Sequence, residues 1–559
     1  MKVISTAANI SQAFKNAGRV REILGVLGKH GFADLLHRMR LTRFLPQKYS
    51  NSPGYQQLPV PVRLRLSFEE LGPTFVKLGQ LLATRPDLIP EEFTEEFERL
   101  QDNVAGVPFA EVRSVIESET KSTLEHIFSD FEQTPLAAAS IAQVHGGILK
   151  TGERVAIKIQ RPGIEKIITN DISILRGLAI LMEKYLPETQ VLNPSGLVEE
   201  FFQTILFELD FRVEANNIRR IRKNLAPLPK ISVPQVFTQF STNRVLVLER
   251  FDGVRFSDRE GIQAQGIDPS EIVRLGTDAF FHMVMVDGLF HGDLHGGNLF
   301  VLRDGRIGMV DFGIVGRLSR RVQDSIIIMF TAIIDEDFET LAAEYVNLCQ
   351  VTGPSDFSLL QKDLMDSISP YIGMALGEVN IGKVLLRSTS IAARHHLKVP
   401  RELMLLFRAI LTIEALGKRL DPSFDLLPVG INLARQTLAT RYSKERVMHD
   451  LIVVGRDLQS LLETTPRLLK RSLHKWAQNG FAVETKSKDV EALARSVGQS
   501  NYVRLLQVFS LGWFALGITF IVKDLGPEVA GMPVGAIVSI AIALGPLVNG
   551  LWRLRKLIK

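Results

Sequence analysis

The sequence predicts an α+β protein in which a small β-containing region is followed by a mainly helical one, with further helical segments at both ends. Three observations predict this class. Short runs rich in β-branched residues lie between about 140 and 310, apolar residues at helical spacing dominate on either side, and two uncharged apolar runs come last. At 559 residues the chain is too long for one compact domain.

The composition excludes several classes of protein. Hydrophobic residues make up 46% and charged residues 23%, which excludes a disordered, collagen-like or disulfide-scaffold chain. The one cysteine, Cys349, excludes an intramolecular disulfide and paired-thiol redox chemistry, and we expect it to be an inert packing residue in a reducing compartment. The net charge of +5 is too small to indicate nucleic-acid binding, and we expect no nucleic-acid partner.

Residues 1–59 form a basic amphipathic segment. The first 50 residues hold nine Lys or Arg and two acidic residues, and five apolar residues fall near helical spacing: Ile23, Leu24, Leu27, Leu35 and Leu36. Such a helix lies on an anionic membrane surface or packs on its own domain, and the sequence leaves both alternatives open. We expect no signal peptide and a cytoplasmic start, because no continuous apolar core ends in a small-residue cleavage site.

The next three regions are predicted from local patterns. Residues 60–130 are helical, with breaks at Pro73, Pro86, Pro90 and Pro108. Residues 131–255 contain the strands 144–149 and 154–159, joined by a hairpin at Thr151-Gly152, then a helix from Gly196 to Arg212 and a strand at 244–249. Residues 256–440 are helical, interrupted near 290–313 by a loop and a hairpin at Asp304-Gly305.

The C-terminal end is predicted to be a membrane hairpin. A mildly basic helical juxtamembrane segment, 441–504, precedes two uncharged runs, 505–522 with 18 residues and 529–552 with 24. As helices they extend about 27 and 36 Å, enough for a hydrocarbon layer of about 30 Å. Basic residues before the first run and in the tail 553–559 predict that both ends face the cytoplasm. Two buried core helices are the alternative. Gly531 and Gly535 favour close helix packing or a homodimer.

Residues typical of phosphoryl-transfer chemistry concentrate in the middle of the chain. Asp293 and Asn298 stand five apart in a glycine-rich loop, and Asp311-Phe312-Gly313 follows a predicted strand. This is the layout of a kinase-type centre, in which one carboxylate, here Asp293, orients or deprotonates a nucleophile. An amide and a second carboxylate, here Asn298 and Asp311, hold Mg²⁺ against the phosphates. His291 and His295 are expected to brace this loop rather than bind zinc.

Two upstream residues complete the set. Lys158 lies on the strand Val155-Ala156-Ile157-Lys158, where it can neutralise the α- and β-phosphates, and Glu208 lies on a predicted helix as its orienting carboxylate. Each motif is weak alone, but together they have the order that the kinase motif set requires. The loop before Lys158 lacks glycine, so we expect a stiffer phosphate-binding loop made of Leu136, Ala137, Ala138, Ala139, Ser140, Ile141, Ala142, Gln143 and Val144.

Over about residues 60–430 the sequence resembles the UbiB/ABC1/AarF family of atypical kinase-like proteins. Lys77-Leu78-Gly79-Gln80 matches the family's KxGQ signature, Ala137 to Ser140 its alanine-rich loop, and Glu208-Leu209-Asp210 its ExD signature. The resemblance implies a protein-kinase-like two-lobe fold, with a β-containing N-lobe and a helical C-lobe, in which the KxGQ extension covers the active site.

The resemblance also implies the site and its cofactors. ATP and Mg²⁺ would bind with Asp293 as the catalytic carboxylate, Lys158 paired with Glu208, and Mg²⁺ on Asn298 and Asp311. Lys77 and Gln80 would reach the nucleotide from the extension.

The function that the resemblance implies is an ATPase-type activity at the bacterial inner membrane that supports ubiquinone or related isoprenoid-lipid biosynthesis. Membrane lipids, quinone precursors and quinone-biosynthesis enzymes would be its partners. Family members often have Ala and Pro where this chain has Gly292, Leu294 and Gly296. The sequence of this loop, His291 to Asn298, is similar to that of aminoglycoside and choline kinases. Phosphotransfer to a small molecule or lipid therefore stays open, as does a nucleotide-binding scaffold with negligible turnover.

Overall fold

The computed structural model describes residues 16–41, 58–83, 85, 89–100, 105–371, 381–441, 509–516, 518–519, 521, 527–529 and 532–557. The chain divides into two compact units, Met1–Arg446 and Val447–Lys559, and each is described by itself. The juxtamembrane segment predicted at 441–504 lies outside the described residues except for its first residue.

In the described part of the first unit, the first five α-helices are α1 (Ala17–Leu27), α2 (Ala33–Arg38), α3 (Val60–Leu71), α4 (Pro73–Ala83) and α5 (Glu91–Glu98). The apolar face of α1 is buried in a core that these helices share, since Val20, Ile23 and Leu24 have no exposed surface. Arg19 anchors the same helix through hydrogen bonds of 2.8 and 2.9 Å to the Asp171 carboxylate. The amphipathic N-terminal helix therefore packs on its own domain, and its apolar face is not available to a membrane surface.

The N-lobe is built on a five-stranded antiparallel sheet in the order β1-β3-β4-β6, with β2 paired to β3. The predicted hairpin at Thr151-Gly152 is confirmed, and Gly152 has the positive φ of +100° that its turn requires. Between residues 105 and 255 the elements are α6 (Phe109–Thr120), α7 (Leu124–Ile127), β1 (Phe128–Phe131), β2 (Ala137–Ala138), β3 (Ala142–Leu149), β4 (Arg154–Gln160), α8 (Ile164–Tyr185), α9 (Pro194–Glu208), α10 (Phe211–Asn224), β5 (Ile231–Ser232), β6 (Val245–Glu249) and β7 (Gly253–Arg255). Of these strands, β5 and β7 belong to a second sheet that they form with strands of the C-lobe.

The helix predicted from Gly196 to Arg212 is two helices, α9 and α10, which enter different cores. Val198, Phe201 and Ile205 of α9 pack with the N-terminal helices, whereas Phe211 and Ile218 of α10 pack in a separate core that the N-lobe sheet shares with the C-lobe. The chain turns between them at Leu209 and Asp210. One continuous helix could not present its apolar residues to both cores, and this is why the predicted helix is broken.

The C-lobe is mainly helical, with short strands around the interlobe cleft. The predicted hairpin at Asp304-Gly305 is confirmed, since it joins two antiparallel strands, β9 and β10. The elements are α11 (Arg259–Ala264), α12 (Pro269–Phe281), β8 (Leu289–His291), β9 (Leu299–Leu302), β10 (Ile307–Met309), β11 (Val315–Arg317), α13 (Arg320–Ile334), α14 (Phe338–Leu348), β12 (Gln350–Val351), α15 (Phe357–Ile368), α16 (Ile381–Arg394), β13 (Leu397–Lys398), α17 (Arg401–Leu420) and α18 (Leu426–Arg441).

The second unit contains β14 (Glu528–Val529), β15 (Met532–Pro533) and α19 (Val534–Leu557). The Ser510 hydroxyl donates a 2.8 Å hydrogen bond to the Ala543 carbonyl, so the two apolar runs contact each other. Both predicted spans lie partly outside the described residues. Within the part of the chain that is described, no helix combines the length and the apolarity needed to cross a membrane.

Candidate active site

Strand β4 carries Lys158 into the cleft between the lobes. Lys158 lies opposite Val144 of β3 and Leu246 of β6, so its backbone is fixed on both sides by the sheet. Its Nζ donates hydrogen bonds of 2.9 and 3.1 Å to the two carboxylate oxygens of Glu214. Asp311 Oδ1 lies 3.3 Å from the same ammonium. A lysine from the N-lobe sheet thus meets one carboxylate from α10 and one from the C-lobe.

The predicted pairing of Lys158 with Glu208 is wrong. Glu208 is the last residue of α9, and its Oε2 lies 3.5 Å from Nζ of Lys77, the lysine of the KxGQ signature. Asp210 then begins a new helix, because its side chain accepts a 3.0 Å hydrogen bond from the Arg212 N–H. Glu214, which is 5% exposed, lies one turn further on and faces Lys158. Sequence reasoning missed Glu214, although Asp210 is a recognisable helix-start signal.

The charges in this cluster affect one another's protonation. Burial lowers the pKa of Lys158, but the Asp311 and Glu214 carboxylates outweigh it and hold the pKa above the ordinary value for lysine. The Lys158 ammonium lowers the pKa of Asp311 well below its usual range, against the opposing effect of burial, and His291 and Lys77 lower it further. Lys158 is therefore charged and Asp311 is ionised at neutral pH, as a phosphate ligand and a metal ligand require.

Asp311 is held in an uncommon backbone conformation two residues after the end of β10. Its φ of +60° lies in the left-handed region, which costs a non-glycine residue about 1–2 kcal/mol. The preceding residue is fixed on both sides, since the Val310 N–H donates to the Asn298 carbonyl at 2.9 Å and the Val310 carbonyl accepts from His291 Nε2 at 3.0 Å. The surrounding loop thus holds the carboxylate at the end of the strand against this strain.

The loop that carries Asp293 is braced by its own side chains. The Asp293 N–H donates to His291 Nδ1 at 3.1 Å, and the Gly297 N–H donates to His295 Nδ1 at 3.0 Å. The amide of Asn298 donates from Nδ2 to the Asp293 carbonyl at 3.0 Å, which fixes its orientation and leaves Oδ1 as the atom suited to a metal ion. The prediction that both histidines brace this loop is confirmed.

The alanine-rich loop is a tight hairpin rather than an open loop. Ala137 and Ala138 form β2 opposite Val144 and Gln143, and the Leu136 N–H donates to the Val144 carbonyl at 2.7 Å. Among the predicted nucleotide-binding residues here, three line the cleft: Ala139, Ile141 and Ala142.

Two glutamines assigned to the nucleotide from the sequence bind backbone instead. Gln143 is buried, and its Oε1 accepts a 2.7 Å hydrogen bond from the Val107 N–H. Gln80, on α4, donates a 3.4 Å hydrogen bond to the Leu100 carbonyl, whereas Lys77 on the same helix lines the cleft.

The cleft has a volume of about 660 Å³, open solvent at its mouth included, which suits a ligand of nucleotide size. It is lined by two lysines and four carboxylates: Lys77, Lys158, Glu208, Glu214, Asp293 and Asp311. An anionic nucleotide would be repelled by this excess of carboxylates unless a divalent cation accompanied it. Among the described residues, no group of three or more His, Cys, Asp or Glu side chains converges as a metal site. Asp311 lines the cleft and Asn298 does not, but Asn298 Oδ1 is the oxygen that its amide keeps for a metal ion. These two residues are the candidates for holding Mg²⁺, with phosphates and water as its further ligands.

The fold and the site define an atypical kinase-like protein. A family model described as the ABC1 atypical kinase-like domain matches residues 99–345, and one described as the UbiB helical domain matches residues 364–425. Together they cover more than half of the chain, which belongs to the UbiB/ABC1 family. A solved structure, the complex of Rv3197 with erythromycin from Mycobacterium tuberculosis, has 25% sequence identity and a TM-score of 0.39 over 64% of this chain and 94% of that chain.

Proposed function

We propose that the protein is a Mg²⁺-dependent, ATP-binding atypical kinase-like ATPase that supports the biosynthesis of ubiquinone or a related isoprenoid lipid. One observation carries this proposal: Lys158, Asp293 and Asp311 line a single cleft, with Lys158 bonded to both Glu214 and Asp311. The family assignment supports the lipid pathway.

The chemistry follows from the side chains of the cleft. Lys158 is positioned to bind the phosphates of ATP, and its two carboxylate partners hold it there. Asp311 and Asn298 would hold Mg²⁺, which neutralises charge that develops on the phosphoryl oxygens. Asp293, whose side chain is 34% exposed, can accept a proton from water or from an acceptor hydroxyl.

A second candidate is phosphotransfer to a small molecule or lipid. Two observations favour it: the His291-Gly292-Asp293 form, and the exposed ring of Phe207 at the cleft beside Glu208. An apolar ring at the rim suits an acceptor that is larger and less polar than water. A nucleotide-binding scaffold with negligible turnover is the third candidate, and the intact set of charged residues argues against it.

We further propose that residues 505–552 form a membrane hairpin, that both ends face the cytoplasm at a bacterial inner membrane, and that lipids or quinone precursors and quinone-biosynthesis enzymes are the partners. The hydrogen bond from Ser510 to the Ala543 carbonyl supports packing between the two runs. A homodimer through the hairpin belongs to the same proposal. Protease protection of a C-terminal tag in inside-out vesicles would contradict the orientation.

The experiment that tests the function is ATP turnover by the purified protein in liposomes, with and without quinone-headgroup compounds. Phosphate release without a labelled product supports the ATPase, and a phosphorylated compound supports the transferase. Asp293→Asn is expected to lower turnover about a hundredfold or more, because the proton acceptor is lost. ATP-dependent partner binding without turnover in the unsubstituted protein, retained in Asp293→Asn, would favour the scaffold.

The metal assignment has a separate test. Asp311→Asn removes one of two protein ligands of Mg²⁺ and is expected to abolish the thermal shift that Mg-ATP produces. A normal Mg-ATP shift in this variant would refute the assignment. Ser129→Ala, an exposed substitution on β1, is the control and should keep the shift.

A further inference from the structure

Asn217 of α10 joins this helix to the segment that carries Asp311. It is 4% exposed and lies three residues after Glu214, the carboxylate that holds Lys158. Its Nδ2 donates a 3.1 Å hydrogen bond to the carbonyl of Phe312, the residue that follows Asp311. Helix α10 therefore reaches this segment in two ways. Glu214 acts through Lys158 on the Asp311 side chain, and Asn217 acts directly on the backbone.

A second hydrogen bond fixes the orientation of the Asn217 amide. Arg317 of β11 donates from Nη2 to Asn217 Oδ1 at 3.4 Å, so the oxygen is used as an acceptor and the nitrogen faces Phe312. A flipped amide would place its oxygen against the Phe312 carbonyl and its NH₂ group against the guanidinium, and both contacts would be repulsive. The two neighbours of Asn217 therefore determine that Nδ2 is the donor.

The backbone around Asp311 has to be held from outside, because its left-handed conformation with φ +60° is strained. Further along, the Gly292 N–H donates to the Ile314 carbonyl at 2.9 Å, which fixes the start of β11. The bond from Asn217 holds the peptide group between these two points. Without it, the Phe312 peptide could rotate, and Asp311 could relax to an unstrained conformation that moves its carboxylate.

We propose that Asn217 is a positioning residue that keeps the Asp311 carboxylate placed for Mg²⁺ before metal and nucleotide bind, an inference that rests on the Mg-ATP binding proposed above. Glu214 and Asn217 lie three apart on one helix, so they share a face of α10. A single rigid element thus places both the lysine for the phosphates and the carboxylate for the metal. Preorganisation favours binding because less conformational freedom is lost when the ligand arrives.

The expected consequence of losing Asn217 is a higher requirement for Mg²⁺. In the substituted protein, part of the binding energy of the metal has to return Asp311 to its strained conformation. Once the site is filled, the same ligands are in place. Turnover at saturating Mg²⁺ should therefore be retained, which general damage to the fold would not allow.

The test uses the full chain in liposomes and compares Asn217→Leu with the matched control Asn216→Leu. Leucine has the branched shape of asparagine but cannot donate to the Phe312 carbonyl, and Asn216 is the exposed neighbour on the same helix. In Asn217→Leu, the Mg²⁺ concentration that gives half of the ATP-induced thermal shift is expected to rise about tenfold. Saturating Mg²⁺ should restore turnover to within about threefold of the unsubstituted protein. The control should match the unsubstituted protein in both measurements.

Hydrogen exchange tests the positioning without any nucleotide. In the ligand-free protein, the segment 312–314 is expected to exchange about tenfold faster in Asn217→Leu than in the unsubstituted protein. Asn216→Leu should leave this exchange unchanged. The measurement reports on the backbone that Asn217 holds, so it does not depend on the reaction that the protein catalyses.

An unchanged Mg²⁺ requirement in Asn217→Leu overturns the proposal, as does unchanged exchange at 312–314. Turnover that saturating Mg²⁺ does not restore also overturns it, because the damage would then extend beyond the metal site. If Asn217→Leu does not fold, Asn217→Ser, whose shorter side chain does not reach the Phe312 carbonyl, carries the same measurements. Absence of Mg-ATP binding by the unsubstituted protein overturns the proposed function itself, whereas the exchange measurement still decides whether Asn217 holds the segment.

Discussion

Glu208 and Glu214 are six residues apart, yet lysines from different parts of the chain bind them. Glu214 is buried against Lys158, whereas Glu208 lies at the rim of the cleft, 3.5 Å from Lys77. A buried charge that loses its partner is far more costly than a partly solvated one. The two glutamates should therefore respond very differently to substitution.

Glu214→Gln is expected to lower the stability of the first unit by about 2 kcal/mol and to reduce ATP turnover about tenfold or more. The reason is that Lys158 loses a charged hydrogen-bond acceptor inside the protein. Glu208→Gln is the matched control and should cost less than about 1 kcal/mol. Thermal unfolding and phosphate release measure both effects. A larger loss in Glu208→Gln would instead support the pairing expected from the sequence.

The buried imidazole of His145 predicts an acid limit to stability. Nδ1 donates to the Glu132 carbonyl at 2.8 Å, Nε2 accepts from Gln143, and burial lowers the pKa of the ring below its ordinary value. As the pH falls below about 6.5, the unfolded chain therefore binds a proton that the folded chain does not. Stability is expected to fall between pH 7 and 5, by at most about 1.4 kcal/mol per pH unit for this group.

Unfolding midpoints of His145→Gln, measured at pH 7 and 5.5, test this. The difference between the two midpoints should shrink relative to the unsubstituted protein. An equal or larger difference would assign the acid limit to other groups. His291 is also buried with a lowered pKa, so part of the pH dependence should remain.

Much of the site could be predicted at the level of residues, because its chemistry restricts residue type and order. Lys158, Asp293 and Asp311 were predicted from their motifs, and they line one cleft. The partner of Lys158 could not be, because the sequence pattern does not show that the predicted helix breaks at Leu209 and Asp210 and that Glu214, on the next helix, faces Lys158. Only the competition between two hydrophobic cores, which is a tertiary effect, decides which glutamate faces the strand.

Among the elements, α16 and α17 show how a glycine permits close helix packing. A Cβ added at Gly382 would lie 2.3 Å from the Cα of Leu411, and the Gly382 N–H donates to the buried Glu414 carboxylate at 2.9 Å. Backbone cannot give way as a side chain can. The two helices would have to separate to admit any side chain at this position.

Gly382→Ala is therefore expected to destabilise the C-lobe by about 1–3 kcal/mol, through overpacking of α16 against α17. Ser390→Ala, at an exposed position of the same helix, is the control and should be within about 0.5 kcal/mol of the unsubstituted protein. Melting temperatures compare the three proteins. Equal values for Gly382→Ala and the control would show that α17 shifts at no cost.

The elements that local chemistry encodes were predicted well. The β3–β4 hairpin has a glycine at its positive-φ turn, and β9–β10 has Asp304-Gly305 in the same role. The break between α9 and α10 was missed because apolar residues continue on both sides of Asp210, at Leu209 and Phe211. A single Asp is a weak signal against such a pattern.

At the scale of the whole molecule, the one cysteine reports on the integrity of the C-lobe. Cys349, which caps α14, is buried, and burial raises the pKa of its thiol to about 12. In the folded protein at pH 8 it should react with a thiol reagent more than about a hundredfold more slowly than in denaturant. Saturating Mg-ATP should slow labelling further if it binds the folded state. Rapid labelling without denaturant would contradict this packing.

The packing of the first unit could not be read from domain boundaries along the sequence. Helix α6 and strand β1, which fall within the predicted extension, pack with the N-lobe sheet, and α8 and α9, which fall within the predicted N-lobe, pack with the extension. Periodicity shows which face of a helix is buried but not which distant face covers it.

The contact between Lys77 and Glu208 means that the extension provides a positive charge that balances the carboxylates of the cleft. A truncated protein that begins after α4, the helix of Lys77, would keep all four acidic side chains of the cleft. It would lose one of the two lysines, Lys77 and Lys158, that balance their charge. Its demand for magnesium should rise, and its response to ionic strength should steepen, even though every residue of the kinase motif set is still present.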